Sequence, residues 1–374
     1  MKAALLALAA LFAAAAPAAA QIEIRIDTSL ADQALGLVCS GRPVDEAAVR
    51  ASPLVQAQIR HNSRLIAGAS MDAYVAALQG LSACRAPDPD PFRAAAILEN
   101  PEVFRAKVAA IVARQDEMAA RAAAMIAPYS APDFHFSGAA VLAVPYFSCG
   151  GFADGAIFFV DIACLDADLS QDIDALTLMI THETYHAVQA QTYFPFDESV
   201  EAIDSVGKAH EYMFSALLVE GMAERVAPSA ALPVEATGPL TQINRGFANS
   251  NRQRMRANFM MLGMLFEHIA HHPEEPRAAF ERAYGLAFSG GTYEQFAYYV
   301  GARMAADIDE AWGRQALLCV VALPAEQFAL AHDAVAEARG EARLRLPPHV
   351  IAAANTVAAA RPAAAPGYAQ CQPA

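Results

Sequence analysis

Apolar positions between residues 21 and 130 recur at helical spacing, one face of a 3.6-residue period. They predict a helix ending near Cys39, with Asp27-Thr28-Ser29 as capping residues, and further helices over about 44–61, 70–83 and 101–126. Pro87-Asp88-Pro89-Asp90-Pro91 interrupts the series, because proline breaks helices and keeps its predecessor out of the helical region. The pattern changes near residue 134. Val141 to Phe147 and Ala156 to Ile162 are rich in β-branched and aromatic residues, and Gly150 to Gly155 punctuates them. This stretch predicts a strand-turn-strand unit, a tight hairpin over 141–162. A single helix is expected from Ser170 or Asp172 to about Gln191. Its buried stripe of Leu176, Met179 and Ile180 continues into Glu183 and Val188. After Arg343 the chain becomes rich in proline and alanine, and residues 357–374 read as weakly ordered or extended. Together these segments predict a mostly helical α+β protein: a helical N-terminal region over 21–130, a core with a small sheet over 131–345, and a tail over 346–374.

Composition adds an address. Lys2, the apolar run Ala3 to Ala16 and the small residues Pro17-Ala18-Ala19-Ala20 make a signal peptide over 1–20, with cleavage expected after Ala20. No later run of 18 or more apolar residues follows, so no membrane span is expected after cleavage, and the chain reads as exported, periplasmic or secreted. A formal charge of −14 argues against nucleic acid or an anionic membrane as partner. Six cysteines in an exported chain make disulfides possible. In the predicted hairpin Cys149 would lie near the turn and Cys164 far from it, beyond the ~7 Å that a disulfide spans. Cys39 with Cys84 is the preferred pair, and Cys371 is positioned to staple the tail.

The chemistry concentrates in His182-Glu183-Thr184-Tyr185-His186. On a helix His182 and His186 share one face and can grip one zinc ion, with Glu183 beside it as general base and zinc-bound water as nucleophile. Ten histidines in 374 residues make a chance match on the order of one in a hundred, so context decides. Here the context is a buried stripe. One histidine in a core is ordinary, but two histidines and a glutamate within five buried positions are costly unless paired or ligating.

A catalytic zinc needs a third protein ligand and one open position. A metzincin would have Gly and His where this chain has Gln189 and Thr192. The alternative is an acid on a later helix. Glu220 emerges from the apolar run Leu217-Leu218-Val219, and Gly221 and Ala223 are small enough to let this helix approach the first one closely. Glu224, one turn on, could orient a ligating histidine without touching the metal. Glu198, Glu201 and Asp204 read as a solvated acidic cluster. His210 and Glu211 lie about 80° and 180° around the helix from Glu220. His210 and Glu201 remain the alternative ligands. His268 and His272 also have the four-residue spacing, but no glutamate follows His268, and with His271 they read as a solvated helix end.

The two motifs together, His182-Glu183-Thr184-Tyr185-His186 and Glu220-Gly221-Met222-Ala223-Glu224, resemble the gluzincin clan of zinc metallopeptidases, and within it the predicted secreted zinc-dependent peptidases. The similarity takes in Gly151-Phe152-Ala153-Asp154-Gly155, Tyr298 to Met304 and Trp312-Gly313, and covers roughly residues 135–320. The 33 residues between His186 and Glu220 exceed the spacing in the best-known gluzincins, and an inserted loop accounts for the difference. The resemblance implies a zincin-like catalytic core, one zinc ion per chain, and a helix of the form Y-x-x-G-x-x-x-A packed against the active site. It implies hydrolysis of peptide bonds in a peptide or protein substrate. In such peptidases a strand placed like the one before the histidines offers its edge to an extended substrate; a covered hairpin fits the same pattern. Tyr299 is the first candidate to donate to the oxyanion, with Tyr298 and Tyr293 as alternates. Two other functions fit the same composition: an exported helical binding or scaffold module with a non-catalytic zinc site, and a metal-dependent hydrolase of a non-peptide bond.

Overall fold

The computed structural model describes residues 20–144, 151–162, 165, 168–195, 199–289, 293–362 and 365–373. The protein is mostly helical with one small mixed sheet. Strand β1 (Gln21–Asp27) precedes helices α1 to α5 (Ser29–Leu37, Glu46–Ala51, Pro53–Leu65, Met71–Ser82 and Ala94–Glu99) and the long α6 (Pro101–Ile126). Strands β2 (His135–Ala143), β3 (Gly151–Asp154) and β4 (Ile157–Asp161) follow, then α7 (Ile173–Thr192) and α8 (Val206–Val226). The remaining helices are α9 (Pro239–Gln253), α10 (Met255–Ala270), α11 (Pro276–Ala287), α12 (Phe296–Trp312), α13 (Arg314–Val321), α14 (Ala325–Ala338) and α15 (Pro348–Ala359).

The sheet runs β1-β2-β4-β3. β1 and β4 both pair with β2 in parallel, and β3 pairs with β4 antiparallel. The 141–162 hairpin is therefore corrected. The turn falls at Gly155, in a positive-φ conformation suited to glycine, and joins β3 to β4. β2 lies beside β4 as a parallel neighbour instead. β1 is a second correction, a strand at the head of a region expected to be helical. Its alternation of Ile22, Ile24 and Ile26 with Gln21, Glu23 and Arg25 is the period-two signal of a half-buried strand. The helix expected over 44–61 divides at Ser52-Pro53, where Ser52 is extended and caps α3.

Two apolar cores meet in the molecule. One joins α1, α4 and α6 to the sheet and the first half of α7, with Leu30, Leu78, Ile111, Val141, Phe159 and Ile180 among its buried residues. The other joins the second half of α7 to the C-terminal helices through Tyr185, Phe214, Phe266, Val300, Met304 and Phe328. Helix α7 bridges them, and the His182–His186 segment lies at the junction.

Cys39 and Cys84 are bonded, as are Cys319 and Cys371; Cys149, Cys164 and nearly all of the expected signal peptide over 1–20 lie outside the described residues. The tail is more ordered than its composition suggests. Alanine is the best helix former, and α15 occupies 348–359. Arg361 then pairs with the buried Glu326 and with Glu211, and Cys371 is buried beneath its disulfide. No helix among the described residues is long and apolar enough to cross a membrane.

Candidate metal centre

Helix α7 is buried enough that its polar residues need internal partners. Thr177, Thr181 and Thr184 each donate to the carbonyl four residues back at 2.7 Å. The face they leave carries His182 and His186, whose ring centroids stand 4.7 Å apart.

Helix α8 begins at Ser205, whose side chain accepts from Lys208 N. It delivers Glu220 to both rings. Glu220 Oε2 lies 3.3 Å from His182 Nε2 and 3.3 Å from His186 Nε2. The ligating atoms of the three residues all fall within 4.8 Å of one another. Donors about 2.1 Å from a common tetrahedral centre stand about 3.4 Å apart, so these contacts have metal-ligand spacing. The donor set, two imidazole nitrogens and a carboxylate oxygen, matches what zinc takes at catalytic sites. The side chains remain 16–17 % exposed, which leaves access.

Electrostatics within the trio are strong. Burial works against a charged His186, but Glu220, Glu183 and the bonds to Glu220 and Gln189 outweigh it and carry its pKa up to about 9. Burial opposes the charge on Glu220 as well, and the two histidines overcome it, holding its carboxyl well below the usual range.

Glu183 faces the sheet. A Cβ built on Gly151 would come within 3.0 Å of Glu183 Cγ and 2.9 Å of the Phe159 carbonyl oxygen. Glycine at 151 thus lets the edge strand β3 lie directly against the Glu183 side chain.

Gly221 does not serve the contact with α7 expected of it. It faces α12, where a Cβ would stand 2.4 Å from Gly301 Cα, and a Cβ on Gly301 would stand 2.3 Å from the Leu217 carbonyl oxygen. The two glycines let α8 and α12 cross backbone to backbone. The crossing has a chemical consequence. Tyr298, one turn before Gly301, is brought beside Glu220 and stacks on His182 at 5.8 Å. Burial first, then Glu220, Tyr284 and Glu183, push the Tyr298 phenol well above its ordinary pKa, so it stays a donor. Burial and Glu220 act in the same direction on Tyr284 of α11.

Tyr299 is turned elsewhere. Its neighbours are Glu224, Ser229 and Glu294, because one residue along a helix is about 100° of rotation. Tyr293 is largely exposed. Glu224 accepts from Ser229 N at 2.9 Å and Ser229 Oγ at 3.1 Å, so it meets Ser229 where a histidine contact was expected. Burial lifts its pKa to about 8 against the Ser229 bonds. Gln189, in contrast, does contact one of the two rings, at 2.7 Å from His186 Nδ1. The sequence drew attention to Gln189 only as a departure from another family's pattern.

The other candidates are accounted for. His210 is buried, lies 3.1 Å from the Phe266 carbonyl oxygen and stacks on Phe266. Burial lowers its pKa. Glu211 pairs with Lys208 and Arg361. Glu201 accepts from Ser199 Oγ, Asp204 is exposed, and Glu198 lies outside the described residues. His268, His271 and His272 gather at the exposed end of α10.

No curated protein and no solved structure matches the chain. A family model does: residues 98–340, well over half the chain and spanning both histidines and Glu220, match DUF5700, "Putative zinc dependent peptidase". The chain belongs to this DUF5700 family.

Proposed function

We propose that the protein is an exported zinc metallopeptidase of gluzincin type, with His182, His186 and Glu220 as ligands of one zinc ion and Glu183 as general base. The observation that carries this reading is the position of Glu220 Oε2, 3.3 Å from the Nε2 atoms of both histidines. A zinc ion in this donor set supplies a Lewis acid that polarises the scissile carbonyl and lowers the pKa of water.

The chain's own residues do the rest. Glu183 takes the proton of the attacking water and hands it to the leaving amine. Tyr298 replaces Tyr299 as the donor to the developing oxyanion, since it is the tyrosine beside His182 and Glu220. β3 is an edge strand of the sheet and lies against Glu183 through Gly151, a place from which its backbone can pair with an extended substrate. Export accords with the disulfides. Because β1 begins at Gln21, cleavage after Ala20 leaves the sheet whole.

The test is zinc content and peptidase activity of the purified mature chain. One zinc per chain is expected, lost in His182→Ala and Glu220→Ala. Glu183→Gln should keep the zinc and lose about 10²–10⁴-fold in rate. A metal-free native protein sinks the reading. Bound zinc without turnover of any peptide favours a binding module, and turnover of esters or other bonds alone favours a different hydrolase.

A further inference from the structure

Gln189 is 3 % exposed and sits three residues after His186 on α7. The two ends of its amide have partners on different helices. Nε2 donates to the Val219 carbonyl oxygen at 2.8 Å, and Oε1 lies 2.7 Å from His186 Nδ1. A carbonyl oxygen only accepts, so the end at Val219 has to be the NH2 group. The end at His186 is then the oxygen, which also only accepts. His186 Nδ1 must therefore carry a proton. In the neutral ring this leaves the Nε2 lone pair bare, on the side facing Glu220.

Val219 is the residue immediately before Glu220. One amide thus sets the ring of a ligand on α7 and the height of the helix that brings the ligand from α8. The hydroxyl of Tyr193 also lies within hydrogen-bonding reach of this amide, which further limits its freedom. Glu224, which the sequence suggested for this task, is engaged by Ser229.

We infer that Gln189 is a positioning residue of the metal centre, holding His186 in its Nδ1–H form and tying the two ligand-bearing helices together through Val219. This rests on the zinc reading of His182, His186 and Glu220. The choice of an amide has a physical reason. A carboxylate at 189 would accept from His186 equally well, but it could not donate to Val219. It would also bury another negative charge beside Glu220 and Glu183. The neutral amide orients the ring without adding charge.

The experiment compares the full mature chain with its Gln189→Met variant, which keeps the length of the side chain and removes both bonds. Zinc affinity is measured by chelator competition, and folding of the metal-free proteins by circular dichroism and thermal melts. Affinity should fall about 10–100-fold in a folded variant. A dissociation constant within about twofold of wild type overturns the inference, because a residue that only packs two helices would lower the melting temperature and spare the metal. A second readout needs neither metal nor variant. In ¹⁵N-resolved spectra of wild type, recorded at a pH high enough for the ring to be neutral, His186 should show a protected proton on Nδ1, and a proton on Nε2 alone overturns the inference even if Gln189→Met fails to fold. Wild type that binds no zinc would sink the metal reading, while the proton assignment would still decide whether Gln189 holds the ring.

Discussion

Two pairs of histidines on this chain have the same four-residue helical spacing and opposite surroundings. His182 and His186 have ring centroids 4.7 Å apart, and His268 and His272 have theirs 4.3 Å apart. Ring separation barely distinguishes them. The first pair sits mid-helix at the junction of two cores and receives Glu220 from α8. The second sits at the exposed end of α10, where Arg282 Nε stands 3.4 Å from His268 Nε2 and the His272 ring folds back on the His268 carbonyl oxygen. Burial, His272 and Arg282 together lower the pKa of His268, the opposite of the shift at His186. A guanidinium beside an imidazole nitrogen repels a cation, and a carboxylate attracts one. Spacing therefore nominates a pair of ligands, and the charge delivered by another helix decides whether a metal can sit there. The fully buried His332 shows a third outcome: its Nε2 lies 3.2 Å from an Asp307 oxygen, and Arg303 engages the same carboxylate.

Zinc content separates the two pairs most directly. His182→Ala should lose both bound zinc and activity, while His268→Ala and His272→Ala keep both. A chain that loses stoichiometric zinc on removal of His268 would show that both pairs bind metal. A smaller difference separates the neighbouring tyrosines. Tyr298→Phe should lower kcat by about 10²-fold, as for loss of one oxyanion donor, and Tyr299→Phe should stay within about twofold. Equal effects in steady-state kinetics would mean that the facing of α12 does not matter for the reaction.

Next in size is the crossing that sets that facing. Gly301→Ala puts a Cβ 2.3 Å from the Leu217 carbonyl oxygen and is expected to cost about 1–3 kcal/mol, read from urea unfolding. Unchanged stability would remove the close crossing as the reason Tyr298 reaches Glu220. The subtlest effect at any one pH is a slope. The folded pKa of Glu224, about 8, lies above its ordinary 4.5, so the folded state holds a proton that the unfolded state has released. The stability this supplies is complete below pH 4.5 and is lost as pH rises towards 8, by at most about 1.4 kcal/mol per pH unit. Glu224→Gln should flatten the slope, and identical pH profiles for the two proteins would show that folding leaves the Glu224 pKa unshifted.

Parts of this architecture were legible because they are local. The boundaries of α4, α6 and α7 follow from period, proline and capping residues. Glu220 stood out as an acid at the end of an apolar run. Parallel pairing was not legible, since β1 and β2 are separated by six helices and no local signal names a partner more than a hundred residues away. β1 itself had a signal in its alternating isoleucines, overshadowed by the capping residues behind it. Tyr298 and Tyr299 could not be ranked, because the 100° between them has meaning only once the neighbouring helix is in place. Gln189 carried no signal at all: its role depends on a backbone carbonyl of another helix.

What each helix presents follows from its local sequence. The 3.6-residue turn puts His182 and His186 on one face and Glu183 a rotation away, whatever surrounds them. Only the tertiary structure decided what those faces meet. Gly221 against Gly301 brings Tyr298 to Glu220, Gly151 brings an edge strand to Glu183, and Gln189 joins His186 to Val219. A ligand set needs atoms placed within a few tenths of an ångström across different helices, and that placement comes from the packing of α7, α8 and α12 against one another.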